Sequence, residues 1–249
     1  MAAVEHGTAP RRLIVNADDF GQSAGVNEGI IHCYEAGIVT SASLMVRWPS
    51  ASAAAGYARA NPALSVGLHV DLGEWAFSNG EWVTVYEVVP PQDSTAARTE
   101  IASQLDTFRR LVGRDPTHLD SHQHVHRDEP ARSIVARIGE QLGIPCRHFT
   151  DSIRYCGDFY GQSSDGQTVQ GAISVEHLIA ILTTLPHGVT ELCCHPGLRN
   201  DAPGMYVADR AHEAAVLCDP DVRAAIEAEG INLLSFSDLA QAAIPRSAT

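Results

Sequence analysis

The chain has 249 residues, 45% of them apolar, and a formal charge of −13. A surface of that sign repels phosphate backbones and anionic lipid, and the scattered basic residues form no stripe that would bind nucleic acid. All 17 basic residues are arginines, which excludes a Schiff-base aldolase, a pyridoxal-phosphate enzyme and a phosphate loop of the Lys-Ser/Thr type.

No apolar run approaches the ~20 residues needed to span a bilayer. Met1 to Pro10 has no apolar segment of the signal-peptide kind, so a short disordered lead over residues 1–10 and a cytoplasmic protein are expected. The six cysteines include no Cys-x-x-Cys pair, which argues against a thiolate metal site and suits a reducing compartment.

Short apolar runs alternate with helical patterns along one expected domain, residues 1–249. Arg12 to Ala17 reads as a buried strand. In the helix that follows, from about Ser23 to Ala36, Val26, Ile30, Ile31 and Tyr34 recur at helical spacing and Gly37 sits where a C-cap belongs. Ser41 to Val46 is a second strand, followed by an alanine-rich helix to about Ala60, and Ser65 to Val70 is a third. A helix over Thr95 to Val112 carries Ile101, Leu105, Phe108 and Val112 on one stripe. Thr117 to Ser121 is a strand, and the next helix, with Pro130 in its first turn, ends at Leu142. Cys146 to Phe149 is a short strand, Ser174 caps a helix to about Leu185, and Val189 to Cys194 is strongly apolar. Helices around Arg210 to Leu217 and Asp221 to Glu229 precede a last strand, Ile231 to Phe236.

Strands that alternate with helices imply parallel pairing and right-handed crossovers. An open doubly wound sheet and a closed barrel both satisfy that pattern. The polar residues favour a single distorted β/α barrel of about seven strands, because Asp18, Asp19, His69, the Asp120–His126 stretch and His195 all fall at strand C-terminal ends. In a barrel those ends converge on one site. Two segments interrupt the alternation, 73–93 with Trp75, Phe77, Trp82 and Tyr86, and 151–171 with Tyr155, Phe159 and Tyr160. Loops this long and aromatic suggest function, here sugar stacking or a homodimer contact.

Four constellations carry chemistry. Asp18 and Asp19 leave one strand side by side and would repel each other unless a cation or proton shared the site. His69 lies in an apolar strand, where a histidine alone is more often a core residue than a ligand. His118, Asp120, His122, His124 and His126 crowd ten residues, which packing does not explain; if the stretch stays extended, His122, His124 and His126 share a face. His195 is followed by Pro196 and Gly197, a stiff turn that fixes its direction. Together these offer two histidines and a carboxylate for one divalent ion with open positions, plus a spare acid and a spare histidine. Such an ion lowers the pKa of its water and polarises a carbonyl, which suits amide hydrolysis. No G-x-S-x-G serine elbow competes with it.

The motifs LIVNADDFG (Leu13–Gly21), GIVTSASLM (Gly37–Met45), VGLHVDL (Val66–Leu72), PTHLDSHQHVH (Pro116–His126) and CHPG (Cys194–Gly197) resemble, in order, those of the YdjC-type carbohydrate deacetylases. The resemblance implies a distorted β/α barrel that hydrolyses the acetamide of an N-acetylated amino sugar or oligosaccharide. By matching positions it makes Asp19, His69 and His122 the metal ligands, Asp18 the general base and His195 the general acid. His124 and His126 would line the site, with Trp75, Trp82 and Tyr155 as further substrate contacts. Magnesium is the ion implied by the resemblance, whereas two imidazoles and a carboxylate suit zinc, cobalt or nickel. Two other readings stand beside it. One is an amidohydrolase-type barrel with His122 and His124 as paired ligands, although that class often bridges two metals with a carboxylated lysine and this chain has none. The other is a sugar-binding protein without turnover.

Overall fold

The structure is a computed structural model that describes residues 9–242 apart from 79, 91, 164 and 203–205. Residues 1–8 of the expected lead lie outside the described residues, while Pro10 accepts a backbone hydrogen bond from Gly188. No described helix is long and apolar enough to cross a membrane.

Strands β1 (Arg11–Phe20), β2 (Ser41–Leu44), β3 (Ser65–Val70), β6 (Leu119–Ser121), β7 (Ile153–Cys156) and β8 (Gly188–Cys194) form one parallel sheet in the order β6-β3-β2-β1-β8-β7. A short β9 (Asn232–Leu233) pairs with β1 at Arg12 and Leu13. Between them run α1 (Ala24–Glu35), α2 (Ala51–Ala60), α3 (Ser94–Val112), α4 (Ala131–Leu142), α5 (Val175–Thr183), α6 (Asp209–Leu217), α7 (Pro220–Ala228) and α8 (Phe236–Ala242). Their caps follow local chemistry: Ser23 accepts from the Val26 amide, Asp93 from Thr95 and Ala96, and Gly113 ends α3 in the left-handed region.

One side chain demonstrates that the sheet curls into an incompletely closed barrel. Arg147 Nη2 lies 2.9 Å from Asp120 on β6 and 2.7 Å from Glu191 on β8. Those strands are four places apart in the order, roughly 19 Å in a flat sheet. The sheet's outer face packs Leu13, Val15, Ala17, Leu68 and Leu192 into the main apolar core beneath the helices. Its inner face is polar towards the strand C-termini, with Asn16, Asp18, Ser43, His69, Asp120 and Glu191 all buried. Ile14, Val189 and Phe236 close the opposite end. Gly67 on β3 makes room for His118, since a Cβ there would stand 2.5 Å from the imidazole.

Four expectations need correction. The strand placed at Cys146 to Phe149 is only an isolated bridge from Cys146 to Leu119, after which the chain turns through His148 at φ +67°. The edge strand is β7, inside the segment read as a loop; its alternating pattern is too short to stand out from neighbouring glycines and serines. Residues 73–87 form an antiparallel hairpin, β4 (Gly73–Ser78) and β5 (Glu81–Glu87), and Phe236 opens a helix instead of ending a strand.

Candidate metal centre and active-site cavity

Asp18 and Asp19 leave the end of β1, where Asp19 takes a left-handed φ of +68°. That backbone twist sends the two carboxylates in different directions. Asp19 Oδ1 lies 3.4 Å from His69 Nε2 and 3.2 Å from His122 Nδ1. Its other oxygen takes an ion pair of 2.6 Å from Arg210, on α6. Burial opposes the charge on Asp19, but Arg210 and the two imidazoles outweigh it and hold this carboxyl well below the usual range.

His69 is fixed from behind by Asp120, whose Oδ1 sits 2.8 Å from Nδ1. With Nδ1 donating to Asp120, Nε2 is the ring nitrogen turned to Asp19, and it offers a lone pair only once it gives up its proton. Burial disfavours charge on His69, yet Asp120 and Asp18 outweigh it and push the imidazole up to about 10. His122 is likewise pushed up to about 9, Asp19 and Glu74 overcoming burial.

Donor atoms of Asp19, His69 and His122 all lie within 4.8 Å of one another. Ligands at about 2.1 Å from one ion, at the angles of tetrahedral or octahedral coordination, stand roughly 3.0–3.4 Å apart, and the separations of Asp19 from His69 and His122, 3.4 and 3.2 Å, match that spacing. Asp18 with Cys193 and His195, and Asp18 with His69 and Asp120, meet the same spacing. Those sets are less apt, because Arg147 already holds both Asp18 oxygens, at 2.6 and 2.8 Å, and also pairs with Asp120. Arg147 outweighs burial and keeps Asp18 below its ordinary value.

His195 stands opposite, its Nε2 4.0 Å from Asp18 Oδ2 and its Nδ1 buried without a hydrogen-bond partner among the described residues. Its backbone N–H donates to Glu213, which also accepts from the Tyr206 hydroxyl. Burial, with Arg210 nearby, pushes His195 down to about 4, so the ring is neutral.

A cavity of about 700 Å³ opens over these groups and is lined by Asp18, Asp19, His69, His122, His124 and His195, among others. Tyr155 also lines it, and its hydroxyl bonds His124 Nε2 at 3.1 Å. The other expected contacts lie elsewhere. His122 to Arg127 is a 3-10 turn interrupted by left-handed Gln123 and His124, so the three alternate histidines share no face. His126 is fully buried, with Ser121 on one ring nitrogen and the Arg147 carbonyl on the other. Trp75 is not among the cavity-lining residues, and Trp82 is 59% exposed on β5, edge-on to Phe77. His124 faces His148 and Tyr155 and is not paired with His122, which removes the amidohydrolase-type arrangement. Arg147, Arg210, Glu213 and Glu74 were not foreseen from the sequence. None sits in a dense motif, and only the tertiary fold brings them to the site from a hairpin, a turn and a helix.

The sequence profile of the YdjC-like protein family matches residues 12–228. The chain belongs to that family. A carbohydrate deacetylase of Geobacillus stearothermophilus is 34% identical, the alignment covering 92% of this chain and 98% of that one. A chitooligosaccharide deacetylase of Salmonella paratyphi B is also 34% identical, over 92% of this chain and 99% of that one. Among solved structures, a protein of Enterococcus faecalis described in connection with cellobiose-phosphate cleavage superposes with TM-score 0.74 at 24% identity, over 93% and 99% of the two chains. A family 4 carbohydrate esterase of Streptomyces lividans, solved with acetate, superposes with TM-score 0.56 at 12% identity, over 90% and 92%. The structural likenesses show that this YdjC-like chain shares a half-barrel α/β fold with both.

Proposed function

We propose that this chain is a metal-dependent hydrolase that removes the acetyl group from an N-acetylated amino sugar or oligosaccharide. The observation that carries the reading is the meeting of Asp19, His69 and His122 at one wall of the cavity, with Asp18 and His195 beside them. The names of its relatives supply the substrate class.

Asp19, His69 and His122 would hold the ion, which when bound supplies an acidified water and a polarised carbonyl. Two imidazoles, with a carboxylate whose charge Arg210 already shares, favour zinc, cobalt or nickel over magnesium. Asp18 takes a proton from the attacking water, and Arg147 and Asn16 hold its carboxylate in place. His195 is neutral at rest and receives that proton from Asp18 across the 4.0 Å gap. It then delivers the proton to the nitrogen of the departing amine as the C–N bond breaks. The products are acetate and a free amino sugar. Tyr155 and His124 offer a hydroxyl and a ring edge to the sugar.

The test is acetate release from N-acetylglucosamine oligosaccharides by protein loaded with zinc, cobalt, nickel or magnesium, and by chelated protein. Release that stops on chelation and returns with metal is expected. No release from any such sugar at full metal occupancy would favour a sugar-binding protein without turnover.

A further inference from the structure

Two buried polar atoms face each other beside the triad with no hydrogen-bond partner among the described residues: His122 Nε2 and Glu74 Oε2, 3.6 Å apart. Glu74 is only 7% exposed, although it stands on the β4–β5 hairpin. Burying an unpaired carboxylate oxygen and an unpaired ring nitrogen is costly, so their proximity calls for a physical account. His122 turns Nδ1 to Asp19, which leaves Nε2 as its proton-bearing nitrogen once Nδ1 carries a ligand.

We propose that Glu74 is a positioning residue for His122, accepting its Nε2–H as Asp120 accepts the Nδ1–H of His69. The inference rests on the metal-site reading above. It gives each histidine of the triad a carboxylate behind it, one from the barrel strand β6 and one from the hairpin. Such partners fix the ring tautomer and raise the basicity of the ligating nitrogen.

The hairpin is fastened where this role needs it. The Gln123 side chain, next in sequence to His122, accepts from Trp75 N at 2.9 Å and donates to Trp75 O at 2.8 Å. It pairs with β4 as a neighbouring strand would. Gly73 turns the chain into β4 at φ +148°, and a Cβ there would stand 2.9 Å from both the Trp75 ring and the Tyr86 carbonyl. Asp71 braces the hairpin base by accepting from Trp48, Tyr86 and the Gly73 amide.

The experiment is a cobalt titration of wild type, Glu74→Gln, Glu74→Leu and Gln123→Ala, with affinity read by competition with a chromophoric chelator. The visible spectrum of the bound cobalt is recorded alongside, and Tm is measured without metal. Removing such a partner weakens metal binding by roughly 10- to 100-fold. That loss is expected for Glu74→Leu, with a shifted cobalt spectrum. Glu74→Gln, whose amide oxygen still accepts, should lose less, and Gln123→Ala should weaken binding in the same direction. If Glu74→Leu does not fold, Glu74→Gln and Gln123→Ala carry the test through affinity and spectrum. Wild-type affinity and an unaltered spectrum in the folded Glu74 variants would overturn the proposal. Failure of the wild-type protein to bind cobalt would instead sink the metal-site reading.

Discussion

Arg210 Nη2 lies 2.6 Å from Asp19 Oδ2, while the opposite oxygen of the same carboxylate faces His69 and His122. One buried acid therefore serves a permanent cation on one side and the candidate metal position on the other. Arg210→Met leaves Asp19 buried without its arginine, and breaking a buried pair in this way costs about 3–5 kcal/mol. The metal-free variant should melt well below wild type, and added zinc should raise its Tm by more than it raises that of wild type. Thermal melts with zinc and with chelator check this; equal shifts would show that the two sites are uncoupled.

Arg147 joins three carboxylates, Asp18, Asp120 and Glu191, across the barrel interior. Arg147→Met removes the one cation shared by these three buried acids and is expected to lower stability by about 3–5 kcal/mol. Arg147→Lys should recover only part of the loss, because one ammonium cannot reproduce the planar fork. Denaturant unfolding of both variants decides; near-wild-type stability of the methionine variant would contradict the bracing role.

The aromatic insertions divide by position. Trp82→Ala should leave KM for an acetylated oligosaccharide within about twofold of wild type, since Trp82 stands on the exposed strand away from the cavity. Tyr155→Phe removes a hydroxyl that lines the cavity and bonds His124, and it should raise KM several-fold. Steady-state kinetics on the two variants would reverse this assignment if the tryptophan change proved the more harmful.

Burial raises the Glu213 carboxyl to about 8 from its model-compound value of 4.5. The folded protein therefore holds a proton there that the unfolded chain releases at lower pH. This contribution to stability is complete below about pH 4.5 and is lost as pH rises towards 8. Glu213→Gln keeps a neutral side chain and lacks that dependence. The Tm of wild type should fall more steeply than that of the variant between pH 5 and about 8. Parallel curves would exclude Glu213 as the proton holder.

Several features were readable from residues alone. The alternation of apolar runs with helical stripes determined a parallel α/β architecture, because burial on both faces needs continuous apolar strands and crossover helices need a 3.6-residue period. The clustering of Asp18, Asp19, His69, His122 and His195 at strand ends pointed to one polar site, since parallel strands of a curled sheet deliver their C-termini together. Only the tertiary structure decided which polar groups stand behind that site. Glu74, Arg147 and Arg210 come from a hairpin, a turn and a helix, and their contacts with Asp18, Asp19, Asp120 and His122 are long-range. Local sequence carries no signal for such pairs, because their partners are set by sheet curvature and not by spacing along the chain. The same holds for His124 and His126: the left-handed turn at Gln123 and His124 leaves His124 at the cavity, while His126 is fully buried between Ser121 and the Arg147 carbonyl.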